Sequence, residues 1–121
     1  MLCSELDLTS RSVYGLYVNG RSMEAANIPD GSIAVVKPTD DHFKAGYGDP
    51  CHIRFKKSDC EVDTIKFYYP RKDGSGATVR AAHGSGVPCV DFDYEELRKG
   101  NLHVYGVVVG VIEFHKPQSG R

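Results

Sequence analysis

The feature that most constrains the fold is a strand-turn-strand segment near the start of the chain. Val18 leads into a glycine turn at Gly20, and Ser22 follows at the exit of that turn. A second turn sequence, Ile28-Pro29-Asp30-Gly31, returns the chain to the apolar run Ile33–Val36. The segment therefore predicts two strands with Ser22 between them, an arrangement that can hold a nucleophilic hydroxyl in place.

Ser22 needs a base within hydrogen-bond reach, because the pKa of a serine hydroxyl lies far above neutral. Lys66 is the candidate base. It belongs to the segment Val62–Tyr69, whose alternation puts Thr64, Lys66 and Tyr68 on one face of a strand and apolar side chains on the other. A lysine acts as a base only when burial lowers its pKa. Taken alone, the segment leaves a second reading open, namely a solvated lysine on an ordinary strand.

The order and spacing of these pieces resemble the LexA-like family of self-cleaving serine peptidases. That family includes the LexA repressor, the lambda-type phage repressors and the UmuD mutagenesis proteins. The matching pieces are Gly20-x-Ser22-Met23, Ile28-Pro29-Asp30-Gly31 with the strand after it, a Gly48-Asp49 turn, Thr64-Ile65-Lys66 and the closing strand 104–112. The resemblance extends from about Tyr14 to about Phe114. The serine and the lysine are 66 − 22 = 44 residues apart, a spacing nearer that of the phage repressors than that of LexA.

The resemblance implies a mainly β fold of the LexA C-terminal-domain type (β-clip), with twisted sheets and one or two short helices. It implies a serine endopeptidase of the Ser/Lys dyad type, with Ser22 as nucleophile and Lys66 as general base. The backbone amides of Ser22 and Met23 would stabilise the oxyanion. Chemistry of this kind needs no cofactor and no metal, so none is expected.

The function implied is that of the C-terminal self-cleavage and dimerisation domain of a LexA-like or prophage transcriptional repressor, as in the SOS response. Such a protein contacts DNA only through a separate N-terminal domain. Its inducer would be a RecA-type filament or an antirepressor. Two alternatives to this function stay open. One is a catalytically silent dimerisation or regulatory module, and the other is a UmuD-like mutagenesis protein.

The family cleaves its own chain at an Ala-Gly or Cys-Gly bond well upstream of the serine. Neither pair occurs before Ser22, and Ala45-Gly46 lies downstream in a predicted loop. The chain is therefore expected to be a processed product, or to be trimmed to the C-terminal domain.

Two residues near the proposed site depart from the family or suggest another chemistry. Arg21 stands where the family commonly has an acidic residue, so it places a cation beside Ser22. That cation would either lower the serine pKa or disfavour protonation of Lys66. His83 would allow a triad, but a Ser/Lys pair needs no histidine, so we interpret His83 as a solvated loop residue.

Alternation and turn residues predict the remaining elements. Residues 1–12 form a flexible leader, 13–115 the domain and 116–121 a tail. Strands are predicted at 13–18, 33–37, 51–57, 61–69, 77–82 and 102–114, with a short helical turn at 22–27 and a helix at 93–99 that ends at Gly100.

The closing strand, Leu102–Phe114, is apolar at nearly every position, which indicates burial on both faces. Either it lies in the middle of the sheet, or one face meets another subunit. The resemblance favours a homodimer, because LexA-like domains pair through this end of the chain. The predicted interface residues are Val104, Gly106, Val107, Val108, Val109, Val111, Ile112 and Phe114.

Charge and hydropathy exclude several classes of partner. The 15 Lys and Arg balance 16 Asp and Glu, without the basic stripe that a DNA-binding surface needs. No apolar run approaches the roughly 20 residues of a membrane span, and the N-terminus has no signal pattern. A cytoplasmic protein without membrane contact is expected. The cysteines at 3, 51, 60 and 89 form no Cys-x-x-Cys pair, which favours reduced thiols over zinc ligation or disulfides.

Overall fold

The computed structural model describes residues 12–39 and 46–114, and within these ranges seven strands form one antiparallel sheet. The strands are β1 (Tyr14–Tyr17), β2 (Ile33–Pro38), β3 (Asp49–Lys57), β4 (Cys60–Pro70), β5 (Gly76–Arg80), β6 (Val90–Asp93) and β7 (Leu102–Ile112). Their order across the sheet is β1-β2-β7-β3-β4-β5-β6. The mainly β fold class is confirmed. Residues 1–11 of the predicted leader and the whole of the predicted tail lie outside the described residues.

Six of the strands match the predicted segments to within a few residues, whereas β6 was not predicted. Its sequence, Val90-Asp91-Phe92-Asp93, is half aspartate, a residue that is depleted in strands. The segment forms a strand because it pairs antiparallel with β5, and its Phe92 side chain is 1% exposed. Tertiary packing of one aromatic side chain therefore outweighs the local preference of the segment.

The predicted helix is present as α1 (Tyr94–Arg98), and a capping box fixes its start. The amide of Glu96 donates to Asp93 Oδ1 at 2.8 Å, and the amide of Asp93 donates to Glu96 Oε1 at 3.0 Å. The helical turn predicted at 22–27 is a 3₁₀ turn over Glu24–Ala26, which Ser22 precedes. Among the helices that the structure describes, none is long and apolar enough to cross a membrane.

Strand β7 lies between β2 and β3 in the sheet, as the central-strand alternative predicts, and its first half pairs with β3 while its second half pairs with β2. Val104 is 1% exposed, and a Cβ at Gly106 would lie 2.4 Å from the carbonyl oxygen of Lys37. Beyond Val107 the register with β3 ends, and β7 continues paired with β2 through a bulge at Val109. The second half of β7 is therefore less enclosed than the first.

The sheet buries two hydrophobic clusters, and β4 contributes to both of them. Tyr68 belongs to one cluster, with Ile53, Phe92 and Val104. Ile65 belongs to the other, which also holds Met23, the residue that follows the serine. Because Met23 is 2% exposed, this second cluster anchors the turn that carries Ser22 against β4.

Candidate active site

Two interlocked turns hold the segment that presents Ser22. The amide of Gly20 donates to Asp30 Oδ1, and the amide of Gly31 donates to the Val18 carbonyl, both at 2.8 Å. Gly20 has φ +106°, a conformation that side chains other than glycine rarely adopt. The Ser22 carbonyl accepts from the amide of Ala82 at 2.9 Å, which ties the segment to the chain after β5. The backbone at Ser22 is thus fixed from both sides.

Strand β4 brings Lys66 to this serine. The Lys66 Nζ lies 2.9 Å from Ser22 Oγ, inside the limit of about 3.5 Å expected for a resting site. Two further oxygens complete its surroundings, Thr64 Oγ1 at 2.8 Å and the Ile65 carbonyl at 3.2 Å. The two residues that the sequence paired across 44 positions are therefore in hydrogen-bond contact.

The surroundings of Lys66 suit a neutral amine. Burial lowers the pKa of Lys66 below its ordinary value of 10.5, because the ammonium loses solvation. A neutral amine has two hydrogens and one lone pair. It can donate to the Ile65 carbonyl and to Thr64 Oγ1 while its lone pair accepts the hydrogen of the Ser22 hydroxyl. With its two hydrogens directed at the Thr64 and Ile65 oxygens, a neutral amine would direct its lone pair toward Ser22 Oγ.

Thr64 is a site residue that the sequence analysis placed on the Lys66 face without giving it a role. Residues two apart on a strand share a face, so that periodicity is the signal that brings Thr64 and Lys66 together. The hydroxyl of Thr64 accepts from Lys66 and so helps to fix the position of the amine.

The amides predicted to bind the oxyanion are those of Ser22 and Met23. Across 12–39 and 46–114, neither amide donates a hydrogen bond to another protein group. They lie on Ser22 and on the next residue, where the predicted oxyanion site requires them.

A groove with a cavity of about 120 Å³ lies beside Ser22. The segment Leu16–Gly20 forms one wall, and Asp63, Thr64 and Ile65 form the other. Both walls present strand edges. Within the described ranges, β1 pairs only with β2, and β4 pairs with β5 only from Phe67 onward. The groove therefore offers unpaired backbone groups on two sides.

Arg21 and His83, the two residues that depart from the family or suggest another chemistry, are both exposed. Arg21 extends into solvent, with its side chain 80% exposed and 3.8 Å from Glu24. His83 is exposed in the turn after Ala82, and the group that contacts the Ser22 hydroxyl is Lys66.

A second polar cluster, which the sequence analysis did not predict, lies behind one wall of the groove. His52 is 7% exposed, and its Nε2 lies 2.7 Å from Asp63 Oδ1. Its Nδ1 lies 2.7 Å from the hydroxyl of Tyr14, and its ring stacks on Tyr105 with centroids 4.5 Å apart. Burial, and then the charge of Asp63, raise the pKa of Tyr14 to about 12, so this hydroxyl keeps its proton. The cluster joins β1, β3 and β4 across one face of the sheet.

The predicted interface residues differ in their exposure. Val104 and Gly106 are buried within the subunit, and Val107, Val108 and Val111 are partly buried. Val109, Ile112 and Phe114 are exposed, by 58%, 37% and 64%. The apolar surface of this strand is thus concentrated at its C-terminal end.

Comparison with known families gives one match. A model described as Peptidase S24-like matches residues 2–80, a range that contains Ser22, Lys66 and the groove walls. The match ends with β5, so β6, α1 and β7 lie outside it. A search of curated proteins finds no significant match.

Proposed function

The chain belongs to the Peptidase S24-like family, which includes LexA, UmuD and the phage repressors, and on this basis we propose that it is a Ser/Lys dyad peptidase domain of repressor type. The proposed reaction is cleavage of a peptide bond in the segment that joins such a domain to its DNA-binding part. The observation that carries the proposal is the 2.9 Å contact between Lys66 Nζ and Ser22 Oγ, at a lysine whose pKa burial lowers.

In the first step, Ser22 Oγ attacks the scissile carbonyl carbon while its proton passes to Lys66 Nζ. The resulting ammonium has three hydrogens and three oxygen neighbours, Ser22 Oγ, Thr64 Oγ1 and the Ile65 carbonyl. The negative oxygen of the tetrahedral intermediate accepts from the amides of Ser22 and Met23.

In the second step, the C–N bond breaks and Lys66 gives its proton to the departing amine. An acyl ester on Ser22 remains. Neutral Lys66 then takes a proton from a water molecule that attacks the ester carbonyl. The ester bond to Ser22 breaks as Lys66 returns this proton to Ser22 Oγ, which regenerates the serine hydroxyl and the neutral amine and releases the carboxylic acid. Lys66 therefore acts as base and then as acid in each half of the reaction, which requires a pKa near the working pH.

The groove supports a substrate in extended conformation. An extended peptide would lie between the unpaired edges of β1 and the first half of β4, where it would exchange backbone hydrogen bonds with one or both. This position directs the peptide toward Ser22 at the end of the groove.

The proposal is tested with a small neutral fluorophosphonate, which needs no knowledge of the natural cleavage site. Ser22 Oγ would form a bond to phosphorus, the P–F bond would break with loss of fluoride, and the serine proton would pass to Lys66. We expect peptide mapping by mass spectrometry to locate the label on Ser22. Label on other serines at the same rate, or none in folded protein, would favour the catalytically silent module.

The domain is also proposed to form a homodimer through the end of β7. The exposed apolar side chains Val109, Ile112 and Phe114 lie close together in sequence. A two-fold axis would bring this patch against its own copy, as in most homodimers. Val104 and Gly106 would then support the strand from inside the subunit.

We expect the parent protein to be a dimer at micromolar concentration, and Val109→Asp to be a monomer. The substitution places a charge at the centre of the patch, where burying it without a partner is costly. Light scattering on both proteins measures the mass directly. A matched control is Val87→Asp, because Val87 is also exposed, by 44%, but lies in the loop before β6. A monomeric parent, or a dimeric Val109→Asp, would contradict this proposal.

A further inference from the structure

We propose that Asp63 makes the groove beside Ser22 selective for a substrate segment with a lysine or arginine side chain. The inference rests on the proposed peptidase function and names the class of substrate for that same groove. Asp63 is the one charged residue among those that line the cavity, and a charge of this kind favours a substrate with the complementary charge.

The charge of Asp63 is not neutralised by Arg54, the cationic residue opposite it on the neighbouring strand. Arg54 lies opposite Asp63 in the pairing of β3 with β4. Its guanidinium instead contacts Glu61 at 2.6 Å and the hydroxyl of Tyr105 at 3.0 Å. Across the described ranges, the ion-pair contact of Asp63 is with His52 alone, so an uncharged imidazole leaves the negative charge in place.

The carboxylate is also held in a fixed position. His52 is buried, and it contacts Asp63 Oδ1 through Nε2 and the Tyr14 hydroxyl through Nδ1. If the Tyr14 hydroxyl donates to Nδ1, the hydrogen of a neutral imidazole lies on Nε2 and is donated to Asp63. One carboxylate oxygen is thereby anchored, while the Asp63 side chain remains 58% exposed toward solvent. A preorganised charge binds a substrate cation at a smaller entropic cost.

The negative charge of Asp63 acts on the groove rather than on the pKa of Lys66, the proposed base. The pKa of Lys66 is lowered, and burial is the cause. A carboxylate acting strongly on Lys66 would oppose that shift. The charge of Asp63 does contribute to the raised pKa of Tyr14, on the β1 side of the groove. A cation bound between the two walls would feel the same field.

The test compares two fluorophosphonates that share a butyl chain, one of which ends in a guanidinium group. The assay runs at about pH 8, above the range in which imidazoles usually take up a proton. We expect Asp63→Asn to lower the ratio of the cationic to the neutral labelling rate of Ser22 about fivefold. The matched control is Asp59→Asn, which removes the same charge from the β3–β4 turn and should change neither rate.

A third variant tests the positioning role of the cluster. Tyr14→Phe removes the hydroxyl that contacts His52, and we expect it to lower the ratio of cationic to neutral labelling. A merely structural defect would slow both probes together and leave the ratio unchanged.

The outcomes separate the two proposals. If Asp63→Asn leaves the ratio of the two rates at its parent value, Asp63 does not select a cation, although Ser22 still reacts. If the neutral probe fails to label Ser22 in the folded parent protein, the peptidase proposal fails, and the selectivity that rests on it is overturned as well.

Discussion

Replacing Lys66 by methionine should slow the reaction of Ser22 with a neutral fluorophosphonate by about 10² to 10⁴, the usual contribution of a general base. Methionine keeps an unbranched apolar chain of similar length but offers no lone pair that can take the serine proton. Lys66 is the group that contacts Ser22 Oγ, at 2.9 Å. The measurement is the second-order rate of labelling, with Ser22→Ala as the reference for zero reaction.

The control for this variant is Lys56→Met, which makes the same substitution at an exposed position of β3. Its labelling rate should equal that of the parent. Denaturant unfolding of both variants establishes that each is folded under the conditions of the assay. A folded Lys66→Met protein that labels at the parent rate would remove Lys66 from the mechanism.

The second large effect is a dependence of the labelling rate on pH. Lys66 must be neutral to accept the serine proton, and burial lowers its pKa below 10.5. Below that pKa, the neutral fraction rises about tenfold for each pH unit, so the rate should rise with pH and then level off. The plateau begins at the pKa of Lys66 in the folded protein. Rates measured from about pH 6 to about pH 10 would define the curve.

Two control measurements test whether the pH dependence of the labelling rate arises from Lys66. The spontaneous hydrolysis of the probe is measured in parallel and subtracted. In Lys66→Met the residual rate should lose the titration step, because the titrating group is absent. A flat profile in the parent protein would show that the base is another group, or that no base is used.

The lowered pKa of Lys66 also determines the direction in which the stability of the fold changes with pH. A lysine whose pKa is lower in the folded state than in the unfolded state binds fewer protons when folded. Its burial therefore destabilises the fold at neutral pH, and that destabilisation decreases as pH rises toward 10.5. Burial of Lys66, the proposed base, therefore reduces stability at neutral pH.

The local elements were predictable because their signals lie within a few residues. Alternation defined β3 and β4, and the positive φ values of Ser58 and Asp59 are those of a tight hairpin turn between them. Asp93 three residues before Glu96 is a capping box that sets the start of α1. The pairing of Ser22 with Lys66 came from a different source, the resemblance to a family, and no periodicity would have supplied it.

The tertiary structure decided the features that depend on contacts between residues far apart in the sequence. Strand β6 pairs although its sequence disfavours a strand, because Phe92 fills the core. For β7 the sequence left two readings open, and the structure shows a strand in the middle of the sheet whose C-terminal end carries exposed apolar side chains. Val104 pairs with β3 and is buried, whereas Val109 falls in a bulge and is exposed.

The sequence by itself determined a mainly β domain, the turn that presents Ser22 and the strand that carries Lys66. It gave no indication of the cluster of Tyr14, His52 and Asp63, whose members are 38 and 11 residues apart. Strand periodicity reports which face a side chain takes, but contacts across a sheet depend on register and on which strands are neighbours. Those are properties of the assembled sheet. For this reason the contact between Ser22 and Lys66 could be predicted, while the Asp63 carboxylate that we propose to face a substrate cation emerged only from the fold.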